Sequence, residues 1–119
     1  MIEPEILILK ENMKSMLKYS KSEYNKYKST ENIIYLQQAG EKLFNVIENY
    51  VGVINNIQIQ NFQDALQRTF KEKPLQNLLY DARNLHRFFY NSTNEYTIEK
   101  AEEIYKSVLE RIENRIKNL

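Results

Sequence analysis

The sequence predicts an all-α, up-and-down bundle of four to five helices, one domain over residues 1–119. Three observations carry that expectation. Glycine and proline number two each in 119 residues. A sandwich or barrel needs many more turn formers, and a glycine-rich phosphate loop has nothing to be built from. Apolar residues recur at steps of three and four along most of the chain, the period of a helix with one buried face. Hydrophobic residues make up 42%, with nine Tyr and five Phe. Those rings can fill a core although the mean hydropathy is -0.65.

The first helix starts near Glu3, with Pro4 in a first turn where its missing N–H costs nothing. Its stripe is Ile6, Leu9, Met13, Met16, Leu17, Tyr24 and Tyr27. Lys10, Lys14, Lys18 and Lys21 line another side. That stripe reads as a solvated face, diluted by Glu3, Glu5, Glu11 and Glu23; a phosphate-contacting strip is the sharper alternative. Tyr19, Tyr24 and Tyr27 read as core and boundary residues rather than a base-stacking platform. Ser29 or Thr30 is expected to cap a second helix, about Glu31 to Ile54, with the stripe Leu36, Ala39, Leu43, Val46, Ile47, Tyr50 and Ile54. Gly40 lies inside it beside Ala39. Glycine there costs roughly 1 kcal/mol against Ala, so another helix is expected to come close.

Asn55-Asn56 and the run IQIQN read as a connector. A short third helix, about Gln60 to Phe70, is expected to bury Phe62, Leu66 and Phe70. Pro74 opens the fourth, whose stripe is Leu75, Leu78, Leu79, Ala82, Leu85 and Phe89; Asn91-Ser92-Thr93-Asn94 ends it. Thr97 caps the fifth, about Ile98 to Asn118, with Ile98, Ala101, Ile104, Tyr105, Val108, Ile112 and Ile116 inward. Acidic residues gather at its start and basic ones at its end, which suits the helix dipole. Glu102–Lys106 and Glu113–Lys117 add pairs one turn apart.

Charge and composition exclude several functions. Net charge is +1, from 17 basic and 16 acidic residues, so no global basic excess marks a nucleic-acid binder. With no Cys and one His, disulfides, thiol catalysis, cysteine-ligated zinc and a two-histidine metal site are ruled out. No metal or cofactor is expected. The N-terminus MIEPEILILK is acidic where a signal peptide is basic. No run approaches the roughly 20 apolar residues of a membrane span. The expected location is the cytoplasm, with no membrane partner.

One constellation carries chemistry: Arg83, Asn84, His86, Arg87 and Tyr90, within DARNLHRFFYN. On a wheel of about 100° per residue with Leu75 at zero, the apolar residues fall between about -80° and +40°. His86 falls at about +20°, Tyr90 at about +60°, Arg83 at about +80° and Arg87 at about +120°. A polar ridge thus borders the buried face. In one reading His86 is packed in the core and the arginines make surface ion pairs. In the other, His86 is a general acid/base and Arg83 or Arg87 holds a phosphate. All five arginines lie in the second half of the chain, which favours a site there.

The segment QQAGEKLFNVIENYVGVI, with Glu41-Lys42-Leu43-Phe44 after small residues, is similar to the second helix of the archaeal PaREP family. NLHRFFYN, with Leu85-His86 and Phe89-Tyr90, resembles that family's leucine-histidine-x-x-phenylalanine-tyrosine signature. The likeness covers roughly residues 10–116. It implies a four-to-five-helix bundle related to the HEPN superfamily, often dimeric. Many HEPN proteins are ribonucleases that use an arginine and a histidine on one helix near the dimer interface; here the two are only three positions apart. Others are inactive partners of nucleotidyltransferases. The leading expectation is therefore a HEPN-like binding or interaction module, a homodimer through the fourth helix, with a nucleotidyltransferase as a further partner class. The alternative is a metal-independent ribonuclease of toxin type using Arg83 and His86, or a nucleotide- or RNA-binding bundle using Arg83, Asn84, His86, Arg87 and Tyr90.

Overall fold

The computed structural model describes residues 3–88 and 97–119. They form α1 (Glu3–Thr30), α2 (Ile33–Asn55), α3 (Phe62–Arg68), α4 (Lys73–Phe88) and α5 (Ile98–Ile116), and no strand occurs among them. This is the all-α bundle that the periodicity predicts. α1 has 28 residues. At about 1.5 Å per residue it is about 42 Å long, which matches the long axis of the molecule, 42 Å.

α2 is the central element. It lies along α1, takes α3 and α4 on other sides, and meets α5, which also packs on α4. Ten of its 23 residues are buried, from Leu36 to Val53. Met13 of α1, Ala65 of α3, the Leu75–Leu78–Leu79–Ala82–Leu85 stripe of α4 and Ala101, Tyr105, Val108 and Ile112 of α5 complete one core. Both glycines sit on α2. A Cβ on Gly40 would stand 3.3 Å from the side chain of Leu85, which is the close approach of another helix expected at that position.

The caps show where local sequence misleads. Ser29 and Thr30 do not cap α2. Both hydroxyls bond back to the carbonyl of Lys26, inside α1. Glu31 then takes a left-handed conformation, φ 58°, and Asn32 becomes the cap, its side chain accepting from the N–H of Ile34. At the other end of α2, Asn56 is left-handed at φ 57°. Its N–H bonds to Val53 O, and the N–H of Ile57 bonds to Gly52 O. That pair of bonds is the Schellman closure.

α3 is shorter than expected. It buries Ala65, while Phe62 and Leu66 are half-buried and Phe70 stands 69% exposed. The reason is the early stop. The hydroxyl of Thr69 turns back to the carbonyls of Ala65 and Leu66, and Phe70 falls beyond the helical register. Ile98 and Ile54 are likewise exposed, each at an end of its helix. Thr97 caps α5 as expected, accepting from Lys100 N–H. Phe89, Tyr90 and the stop at Asn91–Asn94 lie outside the described residues.

Candidate functional site

The ridge of α4 is built against two aromatic residues from neighbouring elements. Phe44 projects from α2 and Phe62 from α3, with ring centroids 6.2 Å apart. His86 stacks on Phe44, 5.6 Å between centroids and 17° between planes. The guanidinium of Arg83 lies over Phe62 at 4.0 Å from the ring centre. Tyr80 meets the edge of the same ring at 5.9 Å. A continuous line thus runs His86, Phe44, Phe62, Tyr80, with Arg83 lying over it. Offset stacking and guanidinium–ring contact each add to simple burial.

The predicted residues divide accordingly. Arg83 and His86 are partly buried and fixed against rings, on neighbouring parts of one wall. Asn84 and Arg87 are exposed. Tyr90 lies outside the described residues. His86 does not sit in the closed core, as its wheel position implied; it lies on the border, where Phe44 covers one ring face. Tyr80, Phe44 and Phe62 are the members that sequence reasoning missed, Phe62 being expected only as a buried residue of the third helix. A signal was present for Tyr80: it falls at about 140° on the same wheel, one turn before Arg83 and two before Arg87. Phe44 lies in QQAGEKLFNVIENYVGVI, with no local sign that it faces His86.

The other arginines have structural work. Arg111 donates to Asp81 at 2.7 Å and Arg115 to Glu72 at 2.6 Å, so both hold α5 to the α4 region. Arg68 reaches Asp64 within α3 at 3.4 Å. The arginine-rich second half therefore reflects helix stapling more than a shared anion site. In α1, Lys14 and Lys18 are exposed, Lys10 is partly buried, and Lys21 pairs with Glu113 at 3.0 Å. Tyr24 and Tyr27 pack against the core, while Tyr19 is exposed beneath the ammonium of Lys42.

No group of three or more metal-ligating side chains occurs among the described residues. No helix among them is long and apolar enough to cross a membrane. Compared with family models, with curated proteins and with solved structures, the chain matches none.

Proposed function

We propose that the chain is a HEPN-like interaction module that pairs with a second copy of itself through the α3–α4 face. The observation that supports this is the ring line itself. Phe62 and His86 are half-buried, Tyr80 is 44% exposed, and Arg83 lies over Phe62. Aromatic residues and arginine, already ordered before contact, are the residue types that dominate binding energy at protein interfaces. A net charge of +1 sets up little repulsion between two copies. A twofold axis beside α4 would let the same patch serve both partners.

The ring contacts also bear on the enzymatic alternative. Arg83 is committed to Phe62, and one face of His86 is covered by Phe44. Light scattering at high micromolar concentration tests the proposal. The expected mass is twice 14.3 kDa, and Tyr80→Lys should give a monomer that melts close to the parent. A wild-type monomer under those conditions overturns it. Incubation with mixed RNA and chelator is the second arm. No cleavage is expected, and His86→Ala should lower the melting temperature. Chelator-resistant cleavage that vanishes in a well-folded His86→Ala variant would replace this reading with the ribonuclease.

A further inference from the structure

A second feature adjoins the ring line, whose Arg83 reaches it through its charge. A groove of about 330 Å³ runs beside the contact of α1 and α2. Leu9, Asn12 and Met16 form one wall, Asn45, Glu48, Asn49 and Gly52 the second, and Gln58 and Ile59 of the connector close the end. The spacing produces it: 9, 12 and 16 share one face of α1, and 45, 48, 49 and 52 share one face of α2.

Its polar groups are largely unspent. Glu48 is partly buried and makes no hydrogen bond or ion pair among the described residues. Burial raises its carboxyl above the ordinary value, while the charge of Arg83 pulls it back. Asn49 donates to its own helix at Asn45 O, 2.9 Å. The side chains of Asn12, Asn45 and Gln58 make no hydrogen bond among the described residues. A carboxylate partly withdrawn from water with no hydrogen bond to neutralise it costs stability, and a carboxyl shifted by burial beside a charge, set in a cleft, is a candidate binding group. Gly52 is part of the construction. A Cβ there would stand 2.7 Å from the carbonyl oxygen of Ile57. Only glycine lets the connector fold down and close the groove.

We propose that this groove binds an alkylguanidinium group. One carboxylate with amide oxygens around it accepts several N–H donors and one positive charge. Leu9, Met16 and Ile59 offer apolar surface to a short alkyl stem. The planar cation matches a carboxylate in two-point fashion, as an ammonium does not. The group can arrive on a small free molecule or on the arginine side chain of a peptide.

The test is calorimetric titration of the full chain with butylguanidinium, and with butylurea as its uncharged counterpart. Butylguanidinium should bind about 10-fold or more tightly than butylurea. Glu48→Gln should abolish that preference while melting at or above the parent, because it removes a desolvated charge and keeps the shape. Gln58→Ala, at an exposed connector position, should weaken binding without altering the melt. The tripeptide Gly-Arg-Gly separates the sources: tighter binding than butylguanidinium identifies a peptide arginine, weaker binding a free small molecule. Equal affinity for the urea, unchanged affinity in Glu48→Gln, or heat released by magnesium chloride but not by butylguanidinium would each overturn the proposal. None of these results depends on whether the chain dimerises.

Discussion

The seam where α1 meets α5 and the face where α4 meets α3 both use aromatic rings and polar heads, but they finish them differently. At the seam the polar heads of Ser20, Tyr105, Tyr24 and Glu102 are joined in a chain. Ser20 is fully buried. It donates to Ala39 O at 2.7 Å and shares a 2.9 Å hydrogen bond with the hydroxyl of Tyr105. Tyr105 stacks on Tyr24, 4.8 Å between centroids. Tyr24 in turn donates to Glu102, which also takes Lys28 at 3.0 Å. At the α3–α4 face the ring line ends at solvent, on Tyr80 and Arg83. A closed polar network specifies a unique packing; an open ring line offers contact. Substitutions should therefore read out as stability at the seam and as association at the face.

The largest effect is expected at Tyr105. Tyr105→Ala removes a fully buried ring that ties α5 to α1 and should cost about 3–5 kcal/mol. Tyr105→Phe keeps the ring and deletes one hydrogen bond, leaving Ser20 its bond to Ala39, and should cost about 1 kcal/mol. Chemical denaturation separates the two. The same truncation at Tyr80 should move the melt little and the solution mass by half. If Tyr80→Ala costs as much as Tyr105→Ala, the distinction between seam and face collapses.

The two glycines of α2 sharpen the comparison one step down. Gly40 faces the branched end of Leu85 and Gly52 faces a carbonyl oxygen. A side chain can yield by a few tenths of an ångström; a hydrogen-bonded turn cannot without opening. Gly40→Ala should thus be close to neutral, since a helix-propensity gain of up to about 1 kcal/mol offsets the tight contact. Gly40→Leu should cost about 1–3 kcal/mol by overpacking. Gly52→Ala should cost a similar amount despite adding a single methyl, because the connector must lift. Thermal melts of all three settle the order.

These positions also show what the sequence could and could not reveal. Helix number, order and inward faces follow from apolar spacing, because each helix buries one stripe against a common core. The close approach at Gly40 was legible, since glycine inside a strong stripe needs a reason. Gly52 was not, because its reason is a backbone turn five residues ahead. Ser29 and Thr30 look like caps, but their hydroxyls return to Lys26 and leave the work to Asn32. Phe70 fits a helical stripe whose helix stops before reaching it. Of the site, Arg83 and His86 stood out by type. Phe44 and Phe62 did not, because the contact that gives them meaning joins three separate helices. Glu48 had no local mark at all; its want of a hydrogen-bond partner is a property of the groove.

A smaller effect, in pH rather than in packing, should come from Glu102. The hydrogen bond from Tyr24 and then that from Lys28 hold its carboxyl below the ordinary value of 4.5. The folded chain therefore favours the ionised form more than the unfolded chain does. That contribution is complete above the ordinary carboxylate range and fades as pH falls through the lowered folded value. Tyr24 responds at the other extreme. Burial first, and Glu102 second, raise its hydroxyl well above the ordinary 10.0, so its contribution is lost only as strong alkali is approached. Melting curves from neutral pH down to acid should show the parent losing more stability than Glu102→Gln, with the two converging at the acid end. Parallel curves would show that the seam does not depend on this charge.

The smallest effect marks the edge of the seam. Lys21 pairs with Glu113 at 3.0 Å, with side chains 50% and 33% exposed. Water screens such a pair, and fixing two long side chains costs entropy, so exposed pairs contribute about 0–1 kcal/mol. Lys21→Met should shift stability by no more than about 0.5 kcal/mol, and added salt should erase even that, since screening acts within about 10 Å at moderate ionic strength. The pair spans the same two helices as Tyr105 and Ser20, so geometry alone would rank it with them. Burial decides otherwise. A double-mutant cycle on Lys21 and Glu113 that gave a coupling as large as the loss in Tyr105→Phe would show that the closed region extends to the surface, and that α1 and α5 are held by charge as much as by the buried hydroxyls beneath it.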